Sequence, residues 1–258
     1  MKTEDNIILE TKDIKISFGG IEALKGINFR LYKGETLAIL GDNGAGKSTL
    51  IKIISGVYSH YTGKIFINGK NIDIKTPAQA RAYGIETVFQ DLSLLEKQNT
   101  FYNVFLGRER LKLKLGYIFN ILNKKEMEKI LKEVIEKDME FVTIKNYKMP
   151  VKFLSGGQRQ ALAISRALIF KPHILILDEP TAALGVKETT MILEILKRLK
   201  SKGISMILIS HSIPFVFKIA DRIMILREGM KVKETTPSDI TEEQIISYMV
   251  GIKNDNIE

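Results

Sequence analysis

Residues 41–49 read Gly-Asp-Asn-Gly-Ala-Gly-Lys-Ser-Thr, and the first eight fit the spacing G-x-x-x-x-G-K-[ST]. Gly41, Gly44 and Gly46 carry no Cβ, so the backbone can fold around phosphates and turn its N–H groups toward them. Lys47 has the reach for β and γ phosphates, and Ser48 offers a hydroxyl to Mg²⁺. Asp42, Asn43, Ala45 and Thr49 complete the nucleotide-binding loop. A second set of groups closes the run "ILILDEP". Asp178 there is suited to hold Mg²⁺ through water. Glu179, one residue on and pointing elsewhere, is suited to polarise an attacking water. A glycine turn or an acidic loop entry alone would be structural. Joined in one chain, and each following a buried strand, they specify phosphoryl chemistry.

A further stretch, "LSGGQRQALAISRAL" at 154–168, places Ser155, Gly156 and Gly157 ahead of an apolar-periodic run. That too is how a helix N-terminus looks when it is built to hold an anion. Ser155 and Gln158 also have the spacing of a capping box, and on shape alone a well-capped helix is the simpler reading. The chain thus carries two phosphate-type sites more than a hundred residues apart.

These groups need elements to position them. "IKISF" (14–18) and "INFRLY" (27–32) alternate apolar and polar, as half-buried strands do. "TLAIL" (36–40) is a continuous apolar run that predicts a buried strand ending at the glycine loop. "KIFINGKNI" (64–72) has the hairpin signal Asn68-Gly69 at its centre, and "ETVFQ" (86–90) reads as another strand. Asn123 and Glu126 are spaced as a capping box, followed by Met127, Ile130, Leu131, Val134 and Ile135 at helical spacing. Residues 92–165 read as mostly helical. "HILILD" (173–178), "SMILIS" (205–210) and "RIMIL" (222–226) are strands separated by helical stretches. Strands alternating with helices predict an α/β fold with a parallel sheet, which delivers Asp178 to its C-terminal edge. The helical block is then an insertion, and the tail after Gly251 is polar and frayed.

The 258 residues suffice for one large domain or two modest ones. The absence of cysteine excludes disulfides and thiolate metal sites. No apolar stretch approaches a membrane span, and "MKTEDNIILE" lacks the layout of a secretory signal, so the cytosol is the simplest location. The net charge of +9 reads as a solvated lysine-rich surface, with nucleic acid or an anionic membrane as the alternative.

Taken in order, "GDNGAGKST", "VFQD", "LSGGQRQ", "LILDEP" and "LISHS" resemble the ATP-binding cassette (ABC) ATPases over about residues 7–230. The resemblance implies a P-loop, RecA-like core with an N-terminal antiparallel β subdomain and an inserted α-helical subdomain. It sets the core and β subdomain at about 1–91 and 166–240, the helical subdomain at about 92–165 and a tail at 241–258. It implies ATP and Mg²⁺ as cofactors. It also answers the question of two sites: two subunits pair head to tail, and Ser155, Gly156 and Gly157 of one cap the γ-phosphate held by the other. Phe18 matches the aromatic that stacks on adenine; a core strand aromatic is the plain alternative. Gln90 matches the Q-loop glutamine, which contacts Mg²⁺ and the attacking water. His211 matches the switch histidine on the γ-phosphate, while His60 and His173 match nothing and read as surface or structural. The family's usual Asp after the catalytic glutamate is here Gly185, which puts that residue's cross-dimer contacts in doubt.

The stretches "GVYSHYTGKIFINGK" and "TAALGVKE", with "FLGRE" after Gln90, are similar to the ATPases of bacterial ribose- and xylose-type importers. That similarity implies a second cassette as partner, with a homodimer of this chain as the expected assembled or ATP-bound form and a different cassette as the alternative. It also implies membrane permease subunits, an extracytoplasmic sugar-binding protein acting indirectly, and a peripheral place on the inner face of the cell membrane. No nucleic-acid partner is expected, because the coiled-coil insertions and charged linkers of the DNA- and ribosome-directed cassettes are absent. The alternatives are an ABC ATPase for another transport substrate and a nucleic-acid- or ribosome-associated one.

Overall fold

The computed structural model describes residues 6–115, 119–138 and 147–252, and divides into two compact units. The first unit takes Met1–Gln90, Pro172–Ala182 and Leu199–Glu258; the second takes Asp91–Lys171 and Ala183–Arg198.

In the first unit β1 (Ile7–Phe18) and β2 (Ile21–Tyr32) form an antiparallel pair. With β4 (Thr62–Ile67) and β5 (Lys70–Ile72) they make a four-stranded sheet in the order β2-β1-β4-β5. Asn68 and Gly69 both adopt positive φ, 47° and 75°, the backbone that a tight two-residue hairpin demands. The second sheet holds β3 (Thr36–Leu40), β6 (Ile85–Val88), β9 (Ile174–Asp178), β10 (Ser205–Ile209), β11 (Arg222–Arg227) and β12 (Met230–Thr235). Its order is β12-β11-β3-β10-β9-β6, parallel throughout except for the antiparallel edge strand β12. Every residue of β3, β9 and β10 is buried, as strands covered on both faces require. Helices α1 (Lys47–Ile54), α2 (Pro77–Ala82), α7 (Ile213–Phe217) and α8 (Glu242–Val250) complete the unit, with the C-terminal part of α6 (Val186–Ser201).

Register is what matters for chemistry. Leu208 pairs with Leu177 and with Ala38, Ile209 with Asp178 and Ile39, and Val88 with Leu177. The four parallel strands β3, β10, β9 and β6 therefore finish together. The loops that leave that edge carry Gly41–Lys47, His211, Glu179 and Gln90.

The second unit contains α3 (Thr100–Phe105), α4 (Lys124–Asp138), α5 (Gly156–Leu168) and the N-terminal part of α6, with α3 and α4 against α5. The expectation of a mostly helical 92–165 is corrected here. Strands β7 (Leu111–Leu115) and β8 (Phe119–Leu122) form an antiparallel pair inside it. The reason is visible in "LKLKL", which repeats every two residues and suits a strand, not a helix. The helix after Asn123 does form: Asn123 Oδ1 accepts from the Glu126 N–H at 3.3 Å, and its amide donates to Glu126 Oε2 at 2.7 Å. Met127, Leu131 and Val134 are buried along one face; the side chain of Ile135 lies outside the described residues, as does the tail beyond residue 252.

Candidate functional site

The loop between β3 and α1 is held in its shape by its glycines. Gly41, Gly44 and Gly46 have φ of 156°, 82° and 99°. A Cβ on Gly41 would sit 2.4 Å from the Leu226 carbonyl, and one on Gly46 2.6 Å from Leu24 and 2.8 Å from the Ala23 carbonyl. At Gly44 a Cβ would meet nothing, so there only the backbone conformation calls for glycine. Gly46 also ends the loop as the cap of α1 without any side-chain hydrogen bond to the helix. The first-turn N–H groups are thus left for an outside acceptor such as a phosphate. Ser48 is exposed on that turn and Thr49 half-buried beside it.

Lys47 is buried and arches back over its own loop. Its Nζ donates to the carbonyls of Gly41 at 2.7 Å and Asp42 at 2.9 Å. Burial pulls its pKa below the ordinary lysine value, opposed by the charges of Glu179, Asp42 and Asp178. Asp178 and Glu179 are buried too, and burial raises both carboxyls above their ordinary range. Lys47, Lys52 and His211 pull Asp178 back down, and His211 does so for Glu179. The site is therefore a buried cation facing two buried carboxylates, each disfavoured alone and stabilised by the other.

Glu179 is held in a conformation that side chains resist. Its φ is 53°, and its N–H donates to the Ile209 carbonyl at 3.0 Å, which ties it to the neighbouring strand. A left-handed glutamate costs about 1–2 kcal/mol, and such strain collects at functional positions. His211 is exposed, with Nδ1 2.8 Å from Glu179 Oε1. That oxygen is buried and has no donor in hydrogen-bond alignment, so the contact is a close electrostatic approach with bonding capacity to spare.

Among the described residues no group of three or more His, Asp or Glu is placed to cage a metal. The donors at this edge, the Ser48 hydroxyl and the Asp178 carboxylate, are hard oxygens. They fit Mg²⁺ shared with a phosphate, since that ion keeps few protein ligands.

Phe18 is more than one-third exposed at the end of β1 and is not a core aromatic. It packs edge-on against Tyr58, with ring centroids 5.2 Å apart, and against His60, at 5.7 Å. His60 had no role in the sequence; the structure sets it beside the candidate adenine platform. The signal was faint, a single His twelve residues beyond Ser48. His173 is structural: its N–H donates to the Gly84 carbonyl, and its ring fills the space where a Cβ of Gly84 would be. Gln90 follows β6, exposed, and ends the first of the three segments that make up the first unit.

The other anion-type site lies in the second unit. Ser155 caps α5 with both halves of the capping box formed, Ser155 Oγ accepting from Gln158 N–H and Gln158 Oε1 from Ser155 N–H. Ser155 is exposed, while Gly157 is buried against α6. A Cβ on Gly157 would come 2.9 Å from both Cβ and Cγ of Glu188. Gly157 thus has a packing reason of its own, which the sequence did not disclose.

The ABC transporter family model matches residues 24–182. The fructose import ATP-binding protein FrcA of Rhizobium meliloti is 42% identical over 95% of each chain. The xylose/arabinose import ATP-binding protein XylG of Sulfolobus acidocaldarius is 43% identical over 96% of this chain and 97% of that protein. The ribose import ATP-binding protein RbsA of Clostridium tetani is 40% identical over 97% of this chain, which spans 48% of that protein. Among solved structures, the ADP conformation of MJ1267, an ATP-binding cassette of an ABC transporter, is similar with a TM-score of 0.77. Identity is 28%, and the match covers 96% of each chain. The dimeric post-hydrolysis cassette MJ0796, bound to ADP and Pi, matches with a TM-score of 0.74 at 26% identity, over 89% of this chain and 99% of that one.

Proposed function

The chain belongs to the ABC transporter family, and from that premise we propose that it is the Mg²⁺-dependent ATPase subunit of a monosaccharide importer. The observation that carries the catalytic reading is the common edge at which four parallel strands end, with Lys47, Asp178, Glu179 and His211 together there. The monosaccharide rests on the sugar-import names of the relatives.

In this reading the N–H groups of Gly41–Thr49 cradle the phosphates of ATP, and Lys47 exchanges its carbonyl partners for β and γ oxygens. Ser48, Asp178 through water and Gln90 would hold Mg²⁺, which as a Lewis acid neutralises phosphate charge. Glu179 polarises the attacking water through the buried Oε1, and His211 binds the γ-phosphate and orients that carboxylate. Phe18 stacks on adenine. Ser155, Gly156 and Gly157 act on the γ-phosphate of a second, head-to-tail copy.

No helix among the described residues is long and apolar enough to cross a membrane. The work of hydrolysis would leave through contact with permease subunits, placing the chain peripherally on the inner face of the membrane; a sugar-binding protein on the far side acts indirectly. The test uses Glu179→Gln, which keeps shape but removes the base. Hydrolysis is expected to fall by roughly 10²-fold or more. On size-exclusion chromatography with ATP this variant should run as a dimer, and adding Ser155→Arg should abolish the dimer. Wild-type hydrolysis by Glu179→Gln would overturn the catalytic assignment; a fully active ATP-bound monomer would overturn the head-to-tail sandwich, in which ATP lies between the two copies.

A further inference from the structure

Glu188 is the third residue of α6, and nothing in the mechanism above uses it. Its carboxylate lies on the N-terminus of α5. Oε1 accepts from the Gly157 N–H at 3.1 Å, and Oε2 accepts from the Gly185 N–H at 3.3 Å. The Ser155 hydroxyl bonds to the same carboxylate. The Gly157 N–H, then the Ser155 hydroxyl and the Gly185 N–H, hold its pKa below the ordinary range, as expected of an anion at a helix N-terminus. The stem of Glu188 rests on Gly157, close enough that a Cβ there would collide with it. One carboxylate therefore engages two of the three residues that the sandwich needs for the partner's γ-phosphate.

We propose that Glu188 is a positioning residue that occupies the N-terminus of α5 as an internal anion and must yield Gly157 and Ser155 to the γ-phosphate of the partner's ATP. The proposal rests on the head-to-tail reading above. Two anions cannot share the same donors, and a carboxylate left beside a phosphate repels it. Glu188 thus opposes closure until ATP displaces it. Its bond to Gly185 gives it a place to remain, so that release of α5 leaves the start of α6 capped.

The experiment measures ATP-dependent dimerisation by sedimentation, in the full chain carrying Glu179→Gln, with and without Glu188→Gln or Glu188→Ala. Glu188→Gln keeps shape and an acceptor but removes the charge. The expected result is half-maximal dimerisation at about tenfold lower protein concentration for both Glu188 variants at low salt, with the gain shrinking at high salt as the repulsion is screened. A purely structural cap predicts the opposite pattern: Glu188→Gln, which keeps only one of the two acceptor oxygens, weaker, Glu188→Ala at least as weak, and no salt dependence of the difference. That pattern, in protein that still dimerises with ATP and loses the dimer on Ser155→Arg, overturns the role of Glu188 and leaves the sandwich standing. Failure of the parent to dimerise, or indifference to Ser155→Arg, overturns the sandwich and the Glu188 proposal with it. Should Glu188→Ala not fold, the isosteric Glu188→Gln decides alone.

Discussion

Gly156 and Gly157, at the start of α5, are expected to differ in what they do for the fold, and alanine separates them. At Gly157 a Cβ would lie 2.9 Å from the Cβ and Cγ of Glu188 and 3.1 Å from Met191 Cε. The Glu188 atoms are the inner, stiff part of a side chain near the start of α6, so relief requires α5 and α6 to separate by several tenths of an ångström. Overpacking of this kind costs about 1–3 kcal/mol. Against it stands the helix preference of alanine over glycine, at most about 1 kcal/mol and less in a first turn. The net loss is roughly 1–2 kcal/mol, or a melting temperature lower by about 2–4 °C for each kcal/mol in a chain of this size. At Gly156 the nearest atom is the far end of Leu184, at 3.1 Å, with Glu188 Oε2 next at 3.8 Å. A leucine methyl turns away cheaply, so Gly156→Ala should melt within about 1 kcal/mol of wild type. Scanning calorimetry of the nucleotide-free protein is the assay, because no partner subunit enters it. A Gly157→Ala protein that melts at or above wild type would refute the packing argument, and so would equal losses at the two positions.

Gly185→Asp should fold without strain, since a Cβ there meets nothing, and it would complete the capping box that Gly185 N–H and Glu188 already half form. Its stability gain should be only a few tenths of a kcal/mol by thermal melting, while the Hill coefficient of the ATPase changes more than nucleotide affinity does; an unchanged coefficient removes the role given to this position. In the stretch after Gln90, Phe105 is buried and Phe101, Tyr102, Leu92 and Leu94 are partly so, which leaves Leu95 and Leu106 as its exposed apolar members, Leu95 the more exposed of the two. Leu95→Asp should keep soluble ATPase activity and lose permease binding, measured by co-purification with the permease; intact binding places the outlet elsewhere. His60→Ala removes one of the two rings that brace Phe18 and should raise the KM for ATP a few-fold, with kcat within about twofold; a fall in kcat at constant KM would count against the adenine platform.

The sheet and the P-loop were legible because their signals are local. "TLAIL", "ILILD" and "SMILI" are apolar throughout, and a strand buried on both faces leaves no other pattern. Gly41, Gly44 and Gly46 announce backbone geometry by their type alone. The β7–β8 pairing is less legible although its period is present, because "LKLKL" sits beside lysine-rich helical sequence and shares its charge. The edge contact of His60 on Phe18 could not be read at all: it depends on how β1 and the segment after α1 meet, and two single aromatics forty-two residues apart carry no spacing rule.

Gly157 shows why motif reading stops short even where it succeeds. In the sequence its glycine reads as room for a phosphate, and the structure supplies a second demand, room for the stem of Glu188. Both demands exclude a side chain at the same Cα, so the sequence cannot distinguish them. They are also linked physically. The N–H that a phosphate would use is the one that Glu188 now takes, and the close approach of α6 that Gly157 permits is what brings the carboxylate within 3.1 Å of it. A bulkier residue at 157 would therefore release the internal anion and block the external one in a single step. Activity alone would register only the loss. The order of melting temperatures among Gly156→Ala, Gly157→Ala and Glu188→Gln tells the causes apart: steric separation of α5 from α6 lowers only Gly157→Ala substantially, whereas a requirement for the carboxylate as a cap lowers Glu188→Gln as well.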